Sequence, residues 1–338
     1  MGALLEVKGL KTHFYTRDGV VKAVDGVTFS LDTGKTLAIV GESGSGKSVT
    51  ALSLMRLIPD PPGKIVEGSI DLRGESVLAM PDDKVRELRG NRIAMIFQDP
   101  MTSLNPVYRV GHQIAEALRL HKNMDRKAAE ARAVEMLDLV GIPNAAQRAR
   151  DYPHQFSGGM RQRAMIAMAL ACDPDILIAD EPSTALDVTI QAQILELMIE
   201  LQQRTGAAII MITHDLGVVA DMASDVMVMY AGKQVEYGTA EEVFYEPLHP
   251  YTWGLLDSLP RHDIDEKGTL LPIEGQPPSL IDVPSGCSFH PRCPYAQDVC
   301  KVRTPELRDI KDGHLAACHF SGNDEFKRRQ ARNSGGVA

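Results

Sequence analysis

With 338 residues, 44% of them hydrophobic and 24% charged, the chain has the composition of a soluble globular protein and the length for two domains. Its net charge of -9 excludes nucleic-acid binding through a generally basic surface, and no stretch reaches the ~20 apolar residues that a membrane span needs. The opening run from Met1 to Glu6 turns polar at once and shows no secretory signal.

In chain order, the first clear element is the apolar run Leu37 to Val40, which reads as a buried parallel strand. The segment Gly41-Glu42-Ser43-Gly44-Ser45-Gly46-Lys47-Ser48 follows, and Val49 to Leu57 then reads as a helix. A G-x-x-x-x-G-K-S loop between strand and helix offers backbone N–H groups and a helix N-terminus to a phosphate. Ser43, Gly44, Gly46, Lys47, Ser48 and Val49 form this candidate nucleotide site. Lys47 is suited to the β- and γ-phosphates, and the Ser48 hydroxyl to Mg²⁺.

Three more buried strands are expected, over Ile93 to Phe97, Ile176 to Ala179 and Ala207 to Thr213. A helical stretch, Ile190 to Gln203, separates the last two, which argues for an α/β fold with a mostly parallel sheet covered on both faces. Each strand ends on a polar candidate: Gln98, the pair Asp180-Glu181, and His214. Asp180 is placed to meet Mg²⁺. Pro106 to Tyr152 is wholly helical in pattern and reads as part of an inserted helical lobe of about 100–165. Ser157 is an N-cap candidate, and Gly158 and Gly159 expose amides at the start of an apolar helix, which suits an anion.

Past Gly238 prolines accumulate, and four of the five cysteines lie beyond Tyr251. A small loop-rich second domain is expected over 251–338, with a polar, disordered tail from about 321. Cys172 follows an apolar helix and reads as a buried small residue. Cys287, Cys293, Cys300 and Cys318 are spaced C-x₅-C-x₆-C-x₁₇-C. Four thiols in a cytosolic chain point to metal before disulfide. The wide gaps suit an iron–sulfur cubane; zinc, with His290 or His319 substituting, remains open.

The order of these phrases resembles the ATP-binding subunits of ABC transporters over roughly the first 240 residues. The resemblance implies a P-loop ATPase fold over 1–250. It also implies that Glu181 is the base for the attacking water, with Gln98 near Mg²⁺ and that water. His214 is then the γ-phosphate contact, and Ser157 to Gly159 a cover for ATP bound to a second subunit. It places Asp187 across that dimer interface and Phe14, or less favourably Tyr15, against adenine. Asp99 to Pro106 becomes a loop facing the membrane partner.

The run Leu248-His249-Pro250-Tyr251-Thr252 and the cysteine segment are similar to the C-terminal extension of oligopeptide and dipeptide importer ATPases. Within that group the four cysteines hold a [4Fe–4S] cluster. The resemblance therefore implies ATP, Mg²⁺ and the cluster as cofactors, and peptide import coupled to ATP hydrolysis. The implied partners are a second ABC ATPase subunit (a heterodimer before a homodimer), two transmembrane permeases and an extracytoplasmic peptide-binding protein. The expected place is the cytoplasmic face of the inner membrane, peripherally bound. The rival readings are the same machine with a nickel chelate, glutathione or an oligosaccharide as cargo, a soluble ABC ATPase of translation or DNA repair, and a regulatory iron–sulfur sensor.

Overall fold

The computed structural model describes residues 2–97, 103–182, 188–258, 273–323 and 326. Its strands are β1 (Leu5–Thr16), β2 (Gly19–Leu31), β3 (Thr36–Val40), β4 (Gly63–Leu72), β5 (Glu75–Ser76), β6 (Ile93–Ile96), β7 (Ile176–Asp180), β8 (Ala208–Ile212), β9 (Asp225–Tyr230), β10 (Lys233–Thr239), β11 (Arg308–Lys311) and β12 (His314–Ala316). They form an antiparallel sheet in the order β2-β1-β4-β5 and a mixed sheet in the order β11-β12-β10-β9-β3-β8-β7-β6. Within the second sheet, β9, β3, β8, β7 and β6 run parallel.

Every residue of β3, β7 and β8 is buried, as expected for parallel strands with both faces covered. Their side chains alternate between two cores. Leu37, Ile39, Ile176, Ile178, Ile210 and Ile212 join the antiparallel sheet and the helix Lys47–Leu54. On the other face, Leu177, Ala179, Ile209 and Met211 pack with the helical lobe. Each fully buried Leu or Ile contributes about 1.5–3 kcal/mol to holding these layers together. The lobe consists of the helices Val110–Lys122, Arg126–Leu139 and Ala145–Arg148, followed by Gly158–Leu170.

The chain beyond Tyr251 packs onto the main sheet. Tyr251 and Phe289 share a core with Ala38, Val40, Val226, Val228 and Tyr230, and β11 and β12 extend the sheet past β10. A buried carboxylate pins this junction. Glu236 on β10, fully buried, accepts from the Leu248 N–H (2.6 Å), the His249 N–H (2.9 Å) and the Thr252 hydroxyl (2.5 Å), and lies 2.8 Å from His314 Nε2. The tail expected to be disordered from about 321 begins with an ordered part, since Ser321 is buried and donates to the Leu248 carbonyl (2.8 Å) and Phe326 packs against Trp253; residues 324–325 and those from 327 onward lie outside the described residues.

Candidate active site

The phosphate loop leaves the buried end of β3 and enters the helix Lys47–Leu54. Two of its glycines are required by packing. Gly41 (φ 146°) and Gly46 (φ 106°) have left-handed or extended positive φ, and a Cβ on them would collide with the carbonyls of Met229 and Ala23 respectively. The Lys47 ammonium, itself buried, donates to the carbonyls of Gly41 (2.7 Å) and Glu42 (3.0 Å), inside the curl of the loop. Burial pushes its pKa down, while the nearby carboxylates of Glu181, Asp180 and Glu42 oppose that shift.

The ends of the neighbouring strands converge on this loop. Asp180, the last residue of β7, accepts a 3.0 Å hydrogen bond from the Ser48 hydroxyl at the first turn of the helix. Two of the three side chains expected to hold Mg²⁺ are thus brought together. Burial raises the Asp180 pKa, with the Ser48 hydrogen bond opposing and the Glu181 charge adding to the rise. A hard divalent cation there would restore the charged carboxylate, so this oxygen pair fits Mg²⁺.

Glu181 follows with φ +47°, its N–H donating to the Ile212 carbonyl (2.8 Å). A non-glycine residue in that region is held there by its surroundings. Its carboxylate lies 3.3 Å from His214 Nδ1, so the candidate base and the candidate γ-phosphate contact are neighbours. The Glu181 side chain is 17% exposed and that of His214 67%.

Ser157 caps the helix Gly158–Leu170, its hydroxyl accepting from the Met160 N–H (3.3 Å). Ser157 and Gly158 are exposed, so the helix start is open to a ligand from outside. One turn into this helix, buried Gln162 donates to the Pro182 carbonyl, joining it to the segment after Glu181. Phe14 is half-buried and packs so closely on Gly63 that a Cβ there would meet its ring at 2.8 Å, whereas Tyr15 is 54% exposed. Gln98, Asp187 and residues 99–102 lie outside the described residues.

Motif reading missed the contacts that close the loop from behind. The Glu42 N–H donates to the Tyr251 hydroxyl (2.8 Å), and its carboxylate is held by Arg292 at 2.6 and 3.0 Å. Only the proximity of Arg292 to Cys293 marks it in the sequence.

Cys287, Cys293, Cys300 and Cys318 line one cavity together with Phe289, Tyr295 and Phe320. Burial pushes the thiols of Cys287 and Cys293 up to about 11 and about 12, and the other thiols add to both shifts. Such a group releases its protons when a cation is present to share them. The convergence fits a thiolate-bound centre, but the placement does not complete one. Among the described residues no group of three or more His, Cys, Asp or Glu side chains is arranged to hold a metal ion. The four cysteines thus share a cavity without being arranged as a ligand set. Cys172 is buried elsewhere, in the helical-lobe core.

A P-loop, an acidic strand end with its adjoining base and imidazole, and an exposed capped helix on a parallel sheet define an ABC-type ATPase. The ABC transporter family profile matches residues 24–184, and the oligopeptide/dipeptide transporter C-terminal region matches residues 235–300. The oligopeptide transport ATP-binding protein OppD of Haemophilus influenzae is 53% identical over 321 residues, covering 95% of this chain and 98% of its own. OppD of Escherichia coli is 54% identical over 316 residues (94% and 93%). The dipeptide transport ATP-binding protein DppD of Bacillus subtilis is 54% identical over 318 residues (94% and 95%). Among solved structures, the dimeric ATP-binding cassette MJ0796 bound to ADP and phosphate is 25% identical, with a TM-score of 0.63, over 70% of this chain and 98% of that one. The chain belongs to the ATP-binding proteins of oligopeptide and dipeptide ABC transporters. No helix among the described residues is long and apolar enough to cross a membrane.

Proposed function

We propose that this chain hydrolyses ATP to power the uptake of di- and oligopeptides through a pair of membrane permeases. The observation that carries the catalytic half is the meeting of Lys47, Ser48, Asp180, Glu181 and His214 at one end of the parallel sheet. The transport half is supported by relatives named for oligopeptide and dipeptide transport that match over nearly their whole length.

In this mechanism the amides of Ser43, Gly44, Gly46 and Val49 hold the phosphates and Lys47 neutralises their charge. Phe14 supports the adenine. Ser48, Asp180 and Gln98 would hold Mg²⁺, which would supply positive charge to offset that of the phosphates. The Glu181 carboxylate accepts a proton from water as that oxygen bonds to the γ-phosphorus. The bond to the β-phosphate oxygen breaks, ADP leaves, and His214 supports the transferred group. Ser157, Gly158, Gly159 and Asp187 of this chain close the ATP site of a second ATPase subunit, whose corresponding segment closes this one, and we infer a heterodimer peripherally bound at the cytoplasmic face of the cell membrane. An extracytoplasmic binding protein delivers the peptide.

The four C-terminal cysteines serve this reading as ligands of a [4Fe–4S] cluster, with zinc the alternative. Their shared cavity supports the assignment. Cys293→Ser should lower the iron content of the purified protein, and unchanged iron would remove Cys293 from the ligand set. The transport reading is tested by gentle extraction from native membranes. Two multi-span permeases and a second ATPase should accompany the chain, and a chain without membrane partners would refute it.

A further inference from the structure

Arg292 lies between two of the cavity cysteines in the sequence, yet its guanidinium reaches the phosphate loop 250 residues away. The side chain is 5% exposed, and all its donors are engaged. Nη1 donates to Glu42 Oε2 (2.6 Å) and the Tyr230 hydroxyl (3.4 Å), and Nη2 to Glu42 Oε1 (3.0 Å) and the Ile273 carbonyl (3.2 Å). Nε donates to the Glu274 carbonyl (3.0 Å). A forked, buried, fully satisfied arginine holds a carboxylate in one orientation, which a lysine cannot reproduce.

Glu42 is gripped at each of its polar groups. Its carboxylate meets Arg292, its N–H meets the Tyr251 hydroxyl, and its carbonyl receives Lys47 Nζ. An ammonium has three donors and Lys47 spends two on the Gly41 and Glu42 carbonyls, so the orientation of the Glu42 peptide bears on where the remaining N–H points. Charge points the same way. Glu42, Asp180 and Glu181 all act on Lys47, and a polyphosphate adds negative charge to this group. Arg292 offsets the Glu42 carboxylate in a part-buried setting, where screening by water is weak.

We propose that Arg292 is a positioning residue for ATP binding, which through Glu42 fixes the phosphate loop and makes nucleotide affinity depend on the cysteine-bearing segment. This inference rests on the nucleotide reading of the loop. Because coupling between two sites is reciprocal, nucleotide should also steady the segment around Cys287 to Cys293.

The test uses the full chain with MgATP. Arg292→Met should raise the KM and Kd for ATP about tenfold while kcat stays within about twofold, and Arg292→Lys should recover only part of the loss. Glu42→Gln loosens the same pair but also removes a negative charge near the phosphates, so it should weaken binding by less than Arg292→Met, and the double variant should be no weaker than the poorer single one. In the wild type, MgADP should slow amide exchange over 287–293, and Arg292→Met should abolish that slowing. Wild-type affinity in Arg292→Met, or multiplicative losses in the double variant, would overturn the proposal. If Arg292→Met does not fold, Glu42→Gln decides, since it weakens the same pair from the loop side. A wild-type chain that binds no MgATP would sink the nucleotide reading as well, whereas normal binding with unmoved variants sinks this proposal only.

Discussion

Replacing Glu181 by Gln keeps the size of the side chain and removes its ability to take a proton. The side chain is mostly buried, it faces His214 across 3.3 Å, and its own N–H is tied to Ile212 on β8. The amide therefore occupies the same place, and the loss is chemical. General-base catalysis contributes about 10²–10⁴ in rate, which corresponds to about 2.7–5.4 kcal/mol of barrier at 1.36 kcal/mol per decade. Glu181 also adds negative charge beside Lys47 and Asp180, so neutralising it should leave ATP affinity equal or tighter. Phosphate release, nucleotide titration and light scattering on the same preparation read these effects. Turnover should fall by at least a hundredfold, with ATP retained and a nucleotide-dependent dimer accumulating. Turnover within a few-fold of wild type would refute the assignment of Glu181 as base.

Lys47→Ala removes the ammonium that lies within the loop and should weaken ATP binding by roughly 10- to 150-fold, the worth of a charged hydrogen bond, as read by nucleotide titration. Glu236→Ala strips the acceptor from two backbone N–H groups and the Thr252 hydroxyl in a fully buried site, and should cost about 3–5 kcal/mol in denaturant unfolding. Asp175→Asn tests a pH-dependent tie. Burial pushes the Asp175 carboxyl up, but hydrogen bonds from Arg73 (2.7 Å) and Arg92 (3.2 Å) outweigh it and leave its pKa below the usual value. A depressed carboxyl stabilises the fold above its unfolded pKa of ~3.9, and the contribution disappears as pH falls through the folded value. The variant should be about 1–2 kcal/mol less stable at pH 7, with the gap to wild type closing below about pH 4 in urea titrations.

The parts of the fold readable from sequence were those with local causes. Unbroken apolar runs placed β3, β6, β7 and β8 to within a residue or two, because a buried parallel strand needs side chains that suit both faces. The loop Gly41 to Ser48 was equally plain, since its glycines answer to backbone collisions with Met229 and Ala23. The antiparallel sheet of β1, β2 and β4 left a weaker trace. Its register shifts at several points between Val7 and Phe14, which breaks the alternation that marks a strand. β9, the run Asp225–Tyr230, is rich in methionine and valine and carries no adjoining motif. Beyond the nearness of Arg292 to Cys293, the clamp on Glu42 left no trace in the sequence, because a pair 250 residues apart imposes no periodicity on either segment. Likewise, proline and cysteine content suggested a separate unit after Tyr251, whereas Tyr251, Phe289 and β12 are built into the main sheet and its core.

The most direct test of the central claim is peptide uptake by proteoliposomes containing this chain with its co-purified permeases and second ATPase, with ATP on the ATPase side. A labelled dipeptide or pentapeptide, supplied with the binding protein, should be transported only with ATP, and Glu181→Gln should abolish that transport. ATP hydrolysis without movement of either peptide, accompanied by ATP-dependent movement of a nickel chelate, glutathione or an oligosaccharide, would contradict the account.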